Sequence, residues 1–325
     1  MKHGLASIVI LTWNTPEEAI KCIGSLRKQT YKNFEIILVD NGSSKENVAK
    51  LKGYLKNRGW KRLRPIFNKK NLGFCEGNNV GVRASRGEYV VFLSDDTIPD
   101  KNWLKYLVEP FGLGEGIGGT ASKVIFSRNN TIQYAGGRLK FYGKAESEGL
   151  TQKDSKIFNH QKQTLWGQGC SIAFRRKVLN RLGEYFCPQF FIYFDDLDLC
   201  WRVNGIGYRI IYNPKSFLLH KGSVSVEKNA APGSFVRRDQ LYRNLRNKYL
   251  AFWRNLRVWQ LPLIMPFVFG YDAMKSLYLV ARGDTVFYGS RFNYLATSLS
   301  AFFGFLQLAG EVKKPRKASL SDLSW

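Results

Sequence analysis

The stretch "YVVFLSDDTIPD", residues 89–100, runs from β-branched and aromatic side chains directly into two adjacent carboxylates. Such a run suits a buried strand, which sets Asp95 and Asp96 at or just beyond the strand's carboxyl end. In open α/β sheets that rim is where ligands bind. A turn leading into a helix cap would use Ser94-Asp95-Asp96-Thr97 equally well, so the surrounding sequence has to decide.

Upstream, strand and helix signals alternate. Residues 8–12 form an apolar strand, and Thr15-Pro16-Glu17-Glu18 opens a helix with Pro at its first position and acids in its first turn. "FEIILVDNGSS" is a second strand, followed by a basic helix and a short strand at residues 63–67. "NLGFCEGNNVGVRASRG" is a helix entered through glycine. This alternation predicts a parallel sheet covered by helices. Asn14, Asp40, Asn71, Asp95 and Asp96 all fall at strand ends, so the polar residues gather on one rim. Residues 101–160 are looser and Gly-rich, and are expected to form loops and short antiparallel strands. A strand and a helix closed by Gly183 follow. Then "FFIYFDDLDLCWRVNGIGYRIIYNPKSFLLHKG" predicts three acids, a helix ending near Gly205 and a strand running to His220.

Composition narrows the partners. The chain has 325 residues, 44% of them hydrophobic, which excludes wholesale disorder. Fifty Lys and Arg stand against 25 Asp and Glu, so an anionic partner is expected: phosphorylated small molecule, anionic lipid or nucleic acid. Nucleic acid fits poorly, because carboxylates gathered at strand ends would repel its phosphates without a metal. A nucleotidyltransferase would need a Gly- and Arg/Lys-rich phosphate loop near the start, and "LTWNTPEE" does not supply one. Five scattered cysteines without a C-x-x-C indicate neither a disulfide framework nor a zinc site, and favour a reducing compartment. The first residues are expected to be a strand rather than a signal peptide.

Beyond about residue 235 the pattern becomes helical. Leu241, Leu245, Tyr249, Phe252, Leu256 and Trp259 recur every three or four positions, while Arg243, Arg246, Arg254 and Arg257 fall roughly opposite them. Residues 293–310 are uncharged, at the lower length limit for a membrane span. The expectation is an interfacial, basic-aromatic attachment to an anionic membrane surface. The competing reading is a helical cap packed on the catalytic core.

Taken in order, "SIVILTWNTPEEAIKCIGSL", "FEIILVDNGSS", "NKKNLGFCEGNNVGVRASRGEYVVFLSDDT" and the block ending at His220 resemble the family 2 glycosyltransferases, closest to their rhamnosyltransferase-like branch. The resemblance implies an α/β GT-A nucleotide-diphospho-sugar transferase fold, a Rossmann-like, mostly parallel sheet flanked by helices. The matching blocks lie within residues 5–225; together with the change of pattern beyond about residue 235 they predict a catalytic domain over residues 1–235 and a helical, membrane-associating extension over 236–325. It also implies inverting transfer from a UDP- or dTDP-sugar to a hydroxyl of a lipid-linked or cell-surface glycan, on the cytoplasmic face of the membrane.

Site roles follow from the same resemblance. Asp40, with Thr12 and Asn14, would meet base and ribose. Asn71, Gly73 and Asn78 at a helix entry would suit an anion. Asp96 would ligate Mg2+ or Mn2+ with His220 assisting, Asp95 beside it. Ser94 replaces the first acid of the family's Asp-x-Asp motif. Asp196, or else Asp195, would be the general base, with Asp198 capping the helix or pairing with Arg202. Trp166 and Gly169 would lie on the acceptor side, where Trp166 could stack on a sugar or pack in the core.

Overall fold

The computed structural model describes residues 4–56, 60–222, 235–282 and 291–312. Its first half is a parallel sheet in the order β3-β2-β1-β4. These strands are β1 (Ala6–Thr12), β2 (Phe34–Asp40), β3 (Leu63–Phe67) and β4 (Tyr89–Ser94). Every residue of β2 is buried and β1 nearly so, as expected of strands covered on both faces. The covering helices include α1 (Pro16–Leu26), α2 (Lys45–Lys56) and α3 (Gly73–Ala84). Register sets Thr12 beside Asp40 and Leu11 beside Ser94, so three strands end level and share one rim.

The second half of the sheet is mixed. After β5 (Thr97–Pro99) and α4 (Trp103–Val108), β6 (Ile117–Phe126) enters the sheet, flanked by β7 (Ile132–Tyr134). A separate hairpin joins β8 (Gly137–Leu139) to β9 (Ala145–Ser147). Next come β10 (Lys162–Thr164), β11 (Ser171–Arg175), α5 (Arg176–Leu182), α6 (Asp195–Gly205) and β12 (Arg209–His220). β11 runs antiparallel between β4 and β6, and β12 pairs parallel with β6 and antiparallel with β5. The ten-residue β6 corrects the expectation of loops and short strands over residues 101–160. Its opening glycines hide the strand signal, yet a Cβ at Gly118 would stand 2.6 Å from Tyr208 Cβ.

Among the described residues beyond β12 lie three long helices: α7 (Phe235–Asn255), α8 (Leu261–Arg282) and α9 (Arg291–Glu311). Leu241, Leu245, Tyr249 and Phe252 of α7, with Leu256 just past its end, are buried in the same hydrophobic cluster as the sheet, and Trp201 of α6 meets Phe252 edge-on at 5.2 Å. α7 is therefore packed on the core as a cap. The arginine face expected to reach lipid is largely turned inward. Arg254 binds Asp198 and Glu184, and Arg246 donates to the Gln189 carbonyl at 2.8 Å. Arg243 pairs with Asp239 and stacks on Phe191 at 4.4 Å. The physical reason is pairing: buried acids and carbonyls of the core meet these guanidinium groups. Between α7 and α8, Lys248 and Tyr249 both hold the buried Asp272, at 2.6 and 2.8 Å. No helix among the described residues is long and apolar enough to cross a membrane.

Candidate active site

The rim of the sheet borders a cavity of about 820 Å³. Along one wall, β4 leads directly into Asp95 and Asp96 in the turn before β5. The Asp95 carboxylate accepts from the Thr15 hydroxyl at 2.6 Å, and Thr15 in turn lies 3.3 Å from the Thr12 hydroxyl. Burial and the neighbouring charge of Asp96 push the Asp95 pKa up to about 7. Asp96 takes a different partner. Pairing of β5 with β12 aligns Thr97 with His220, which brings His220 Nε2 to 3.0 Å from Asp96 Oδ1. Gln133 of β7 holds the other ring nitrogen, Nδ1, at 2.7 Å. Burial disfavours the imidazolium, yet neighbouring Cys170 and Asp96 pull the His220 pKa up to about 10.

Asp96 and His220 thus present one carboxylate oxygen and one imidazole nitrogen at the same point of the cavity wall. Among the described residues no three His, Cys, Asp or Glu side chains gather as a metal-ligating group. The pair fits a divalent cation that draws its remaining ligands from a diphosphate and water. Ser94 lines the same wall without adding a carboxylate.

Asp195 and Asp196 line another part of the cavity, at the N-terminus of α6. The chain reaches them through an unusual backbone: Phe191, Tyr193 and Phe194 all have positive φ, between 62° and 74°. Such conformations are costly for bulky residues and persist where neighbours fix them. Here the buried Asn247 of α7 donates to the carbonyls of Phe190, Ile192 and Tyr193 at 2.8, 2.8 and 2.9 Å. The Asp196 carboxylate accepts from the Gly169 and Leu197 N–H groups at 3.0 and 2.8 Å. Burial raises its pKa, and raises that of Asp195 further with the help of the Asp196 charge. Asp198 points the other way, into the core, where Arg202, Arg254 and Asn255 surround it.

The structure therefore brings together Thr12, Asn71, Gly73 and Asn78 with Asp95, Asp96 and His220, and with Asp195, Asp196, Trp166 and Gly169. Trp166 is mostly buried, its ring beside Tyr134 and its Nε1 donating to the Arg138 carbonyl at 3.2 Å. Asp40 and Asn14 are not among the lining residues. Asp40 is buried and accepts from the Ser43 N–H at 3.1 Å, while Asn14 ties the Ser44 N–H and Asn47. The entry of α3 is also less free than expected for an anion site. Asn71 accepts from the Gly73 N–H at 2.8 Å, and the Phe191 carbonyl takes the Cys75 N–H at 3.2 Å. Gly73 is required there, since its φ is +79° and a Cβ would stand 2.5 Å from the Phe191 ring.

Sequence reasoning did not find Asn41, Gln133 or the α7 residues Asp239 and Arg243, which also line the cavity. Asn41 holds Asn71 at 2.9 Å and the Gly73 carbonyl at 3.0 Å, fastening β2 to α3. Its place after a strand-ending Asp was the one signal available.

Comparison with known proteins agrees with this geometry. The family model described as "Glycosyl transferase family 2" matches residues 7–183. The chain is 30% identical over 105 residues to the glycosyltransferase GlyG of Streptococcus pneumoniae, covering 32% of this chain and 34% of that one. It is 27% identical over 235 residues to the O-antigen biosynthesis protein RfbC of Myxococcus xanthus, covering 70% of this chain and 18% of RfbC. An uncharacterized protein of Sinorhizobium fredii, y4gI, is 26% identical over 229 residues, covering 68% of this chain and 25% of that protein. The chain thus spans roughly a quarter to a third of the length of the first of its curated relatives. Among solved structures, GalNAc-T7 with UDP, GalNAc and Mn2+ superimposes with a TM-score of 0.65 at 19% identity, covering 85% of this chain and 51% of that one. The mannosyltransferase PcManGT from Pyrobaculum calidifontis, in complex with GDP-Man and Mn2+, gives 0.58 at 15% identity, covering 94% and 88%. The fold is the GT-A glycosyltransferase fold, and, with more than half of its length matched by the family model, the chain belongs to glycosyl transferase family 2.

Proposed function

We propose that the chain is an inverting glycosyltransferase that moves a hexosyl or rhamnosyl group from a UDP- or dTDP-sugar to a hydroxyl of a lipid-linked or cell-surface glycan. One observation carries this reading: a single cavity joins the Asp96–His220 pair to the Asp195–Asp196 pair. The first pair is suited to hold Mg2+ or Mn2+, which when bound would neutralise charge on the diphosphate leaving group. The second is suited to take a proton.

In direct displacement at an anomeric carbon, one carboxylate must remove the acceptor hydroxyl proton. Asp196 is the better candidate, because it is less buried than Asp195 and its oxygens are oriented by two backbone N–H groups. Asp195 beside it, more deeply buried, is the alternate base. RfbC, a relative named for O-antigen biosynthesis, supports a surface-glycan acceptor. Localisation on the cytoplasmic face as a peripheral membrane protein completes the reading, with no role for nucleic acid.

The test is a donor screen by thermal shift and hydrolysis across UDP-, dTDP- and GDP-sugars, with and without Mn2+. A cation-dependent response to one nucleotide class is expected. Indifference to every nucleotide-sugar would sink the proposal.

A further inference from the structure

We infer that the outward face of α8 and α9 is the surface through which this chain docks on a lipid bilayer. The inference rests on the peripheral-membrane reading above and changes which side chains make the contact. On α8, Leu263, Phe267, Met274 and Leu277 are 57%, 56%, 73% and 61% exposed. On α9, Leu299 and Phe303 are 54% and 62% exposed. Their spacings of three, four and seven place each set on one helical stripe.

This is a second apolar face, not the packing face. The inner sides of the same helices are already occupied: Phe269 and Phe305 lie 4.8 and 6.0 Å from the Tyr249 ring of α7. Helices that are apolar on both sides need a non-aqueous neighbour outside as well as a core inside. Charge is sparse among the described side chains of this face: Asp272 is turned inward onto Lys248, while Lys275 of α8 and Glu311 at the end of α9 are exposed. Trp259 and Tyr278, 60% and 55% exposed, add the amphipathic rings favoured at a membrane–water interface.

A bilayer fits this face better than a second copy. The chain carries a net charge of +25, so two copies repel while anionic lipid attracts. Arg257 and Lys275 are exposed beside the apolar residues, and the sequence after α9 continues into Lys313, Lys314, Arg316 and Lys317. Neither helix crosses a bilayer by length and hydropathy, which leaves a helix pair lying in the interface.

The face also has a structural link to the cavity. Phe141, at the tip of the β8–β9 hairpin, packs on Phe267 at 5.5 Å, and Ala145 of β9 lines the cavity. Four residues of chain span at most about 13 Å. A sugar carried on a membrane lipid can therefore reach the cavity while its lipid stays in the bilayer.

The test is co-sedimentation of the full chain with vesicles of phosphatidylcholine alone and of phosphatidylcholine mixed with phosphatidylglycerol, at low and high salt. The wild type is expected to bind the mixed vesicles and to keep part of that binding at high salt. The variant Leu263→Ser/Met274→Ser/Leu277→Ser/Phe303→Ser should lower partitioning by about a hundredfold or more, with donor hydrolysis unchanged. Quenching of Trp259 by brominated lipid, read as the difference from Trp259→Phe, tests the same contact without disturbing the helices. Unchanged binding by the variant, or no quenching, overturns this face while leaving the peripheral-membrane reading intact. No binding of the wild type to either vesicle overturns both. A wild-type dimer that the variant converts to monomer, without vesicle binding, gives the face to a second copy and overturns the inference.

Discussion

Arg254 Nε stands 3.1 Å from Asp198 Oδ1, with both side chains only 1% exposed. The two residues are 56 positions apart, on α7 and α6, and Arg202 and Asn255 share the same carboxylate. α7 is thereby locked to α6, the helix whose first turn carries Asp195 and Asp196.

Breaking this lock should be expensive. Arg254→Ala leaves Asp198 buried with one guanidinium fewer, and a loss of about 3–5 kcal/mol in urea unfolding is expected. Burial pushes the Asp198 pKa up, but Arg254 and Arg202 outweigh it and hold it below the usual carboxylate value. Because the folded pKa is depressed, this contribution is present above the unfolded value of about 4 and disappears as pH falls below it. Asp198→Asn should flatten that acid limb, and unfolding curves at several acidic pH values would reveal an unchanged slope if the assignment were mistaken.

Gln133 fixes the tautomer and orientation of His220 from behind. Gln133→Leu keeps the bulk and removes the acceptor, so Mn2+-dependent binding of UDP or dTDP should weaken about 10- to 100-fold. Asp96→Asn should abolish that cation dependence. Calorimetric titration with and without Mn2+ checks both, and equal affinities would remove these residues from the cation site.

Asp196→Asn should spare donor binding and lower transfer by about two to four orders of magnitude. Only the ionised base can accept a proton, and burial raises the pKa of both acids. The transfer rate should therefore rise with pH through a midpoint above the ordinary carboxylate range, a property of the pair as a whole. Normal transfer by Asp196→Asn alongside loss in Asp195→Asn would exchange their roles.

Asn247 does not itself line the cavity, yet it holds three carbonyls of the loop before the acids, those of Ile192 and Tyr193 belonging to lining residues. Asn247→Ala should reduce kcat more than donor affinity and cost about 1–3 kcal/mol of stability. A stability loss with an unchanged kcat and pH profile would mark the contact as structural alone.

Much of the sheet was legible because its strands are buried on both faces and read as continuous apolar runs. Asp95, Asp96, Asp195, Asp196 and His220 were marked by their place at the ends of such runs or at a helix start. The arginines of α7 were misassigned because a helical wheel separates faces without saying which neighbour covers each. Gln133 and Asn247 left no signal at all: their partners lie 87 and 54–57 residues away, and nothing local distinguishes them from surface amides. Asp40 and Asn14 illustrate the converse, strand-end polar residues whose hydrogen bonds are satisfied by the neighbouring turn.

The alignment of His220 with Thr97 across β5 and β12 also dictates an order of assembly. Asp96 and His220 are separated by more than a hundred residues of chain, and their meeting requires the strand at the far side of the sheet to dock. Contacts of such long sequence separation form slowly, after local helices and the β1–β2–β4 layer can already exist. During refolding, the far-ultraviolet signal should thus recover ahead of cation-dependent nucleotide binding, and a nascent chain that has not yet released β12 would carry a well-formed sheet unable to hold its donor.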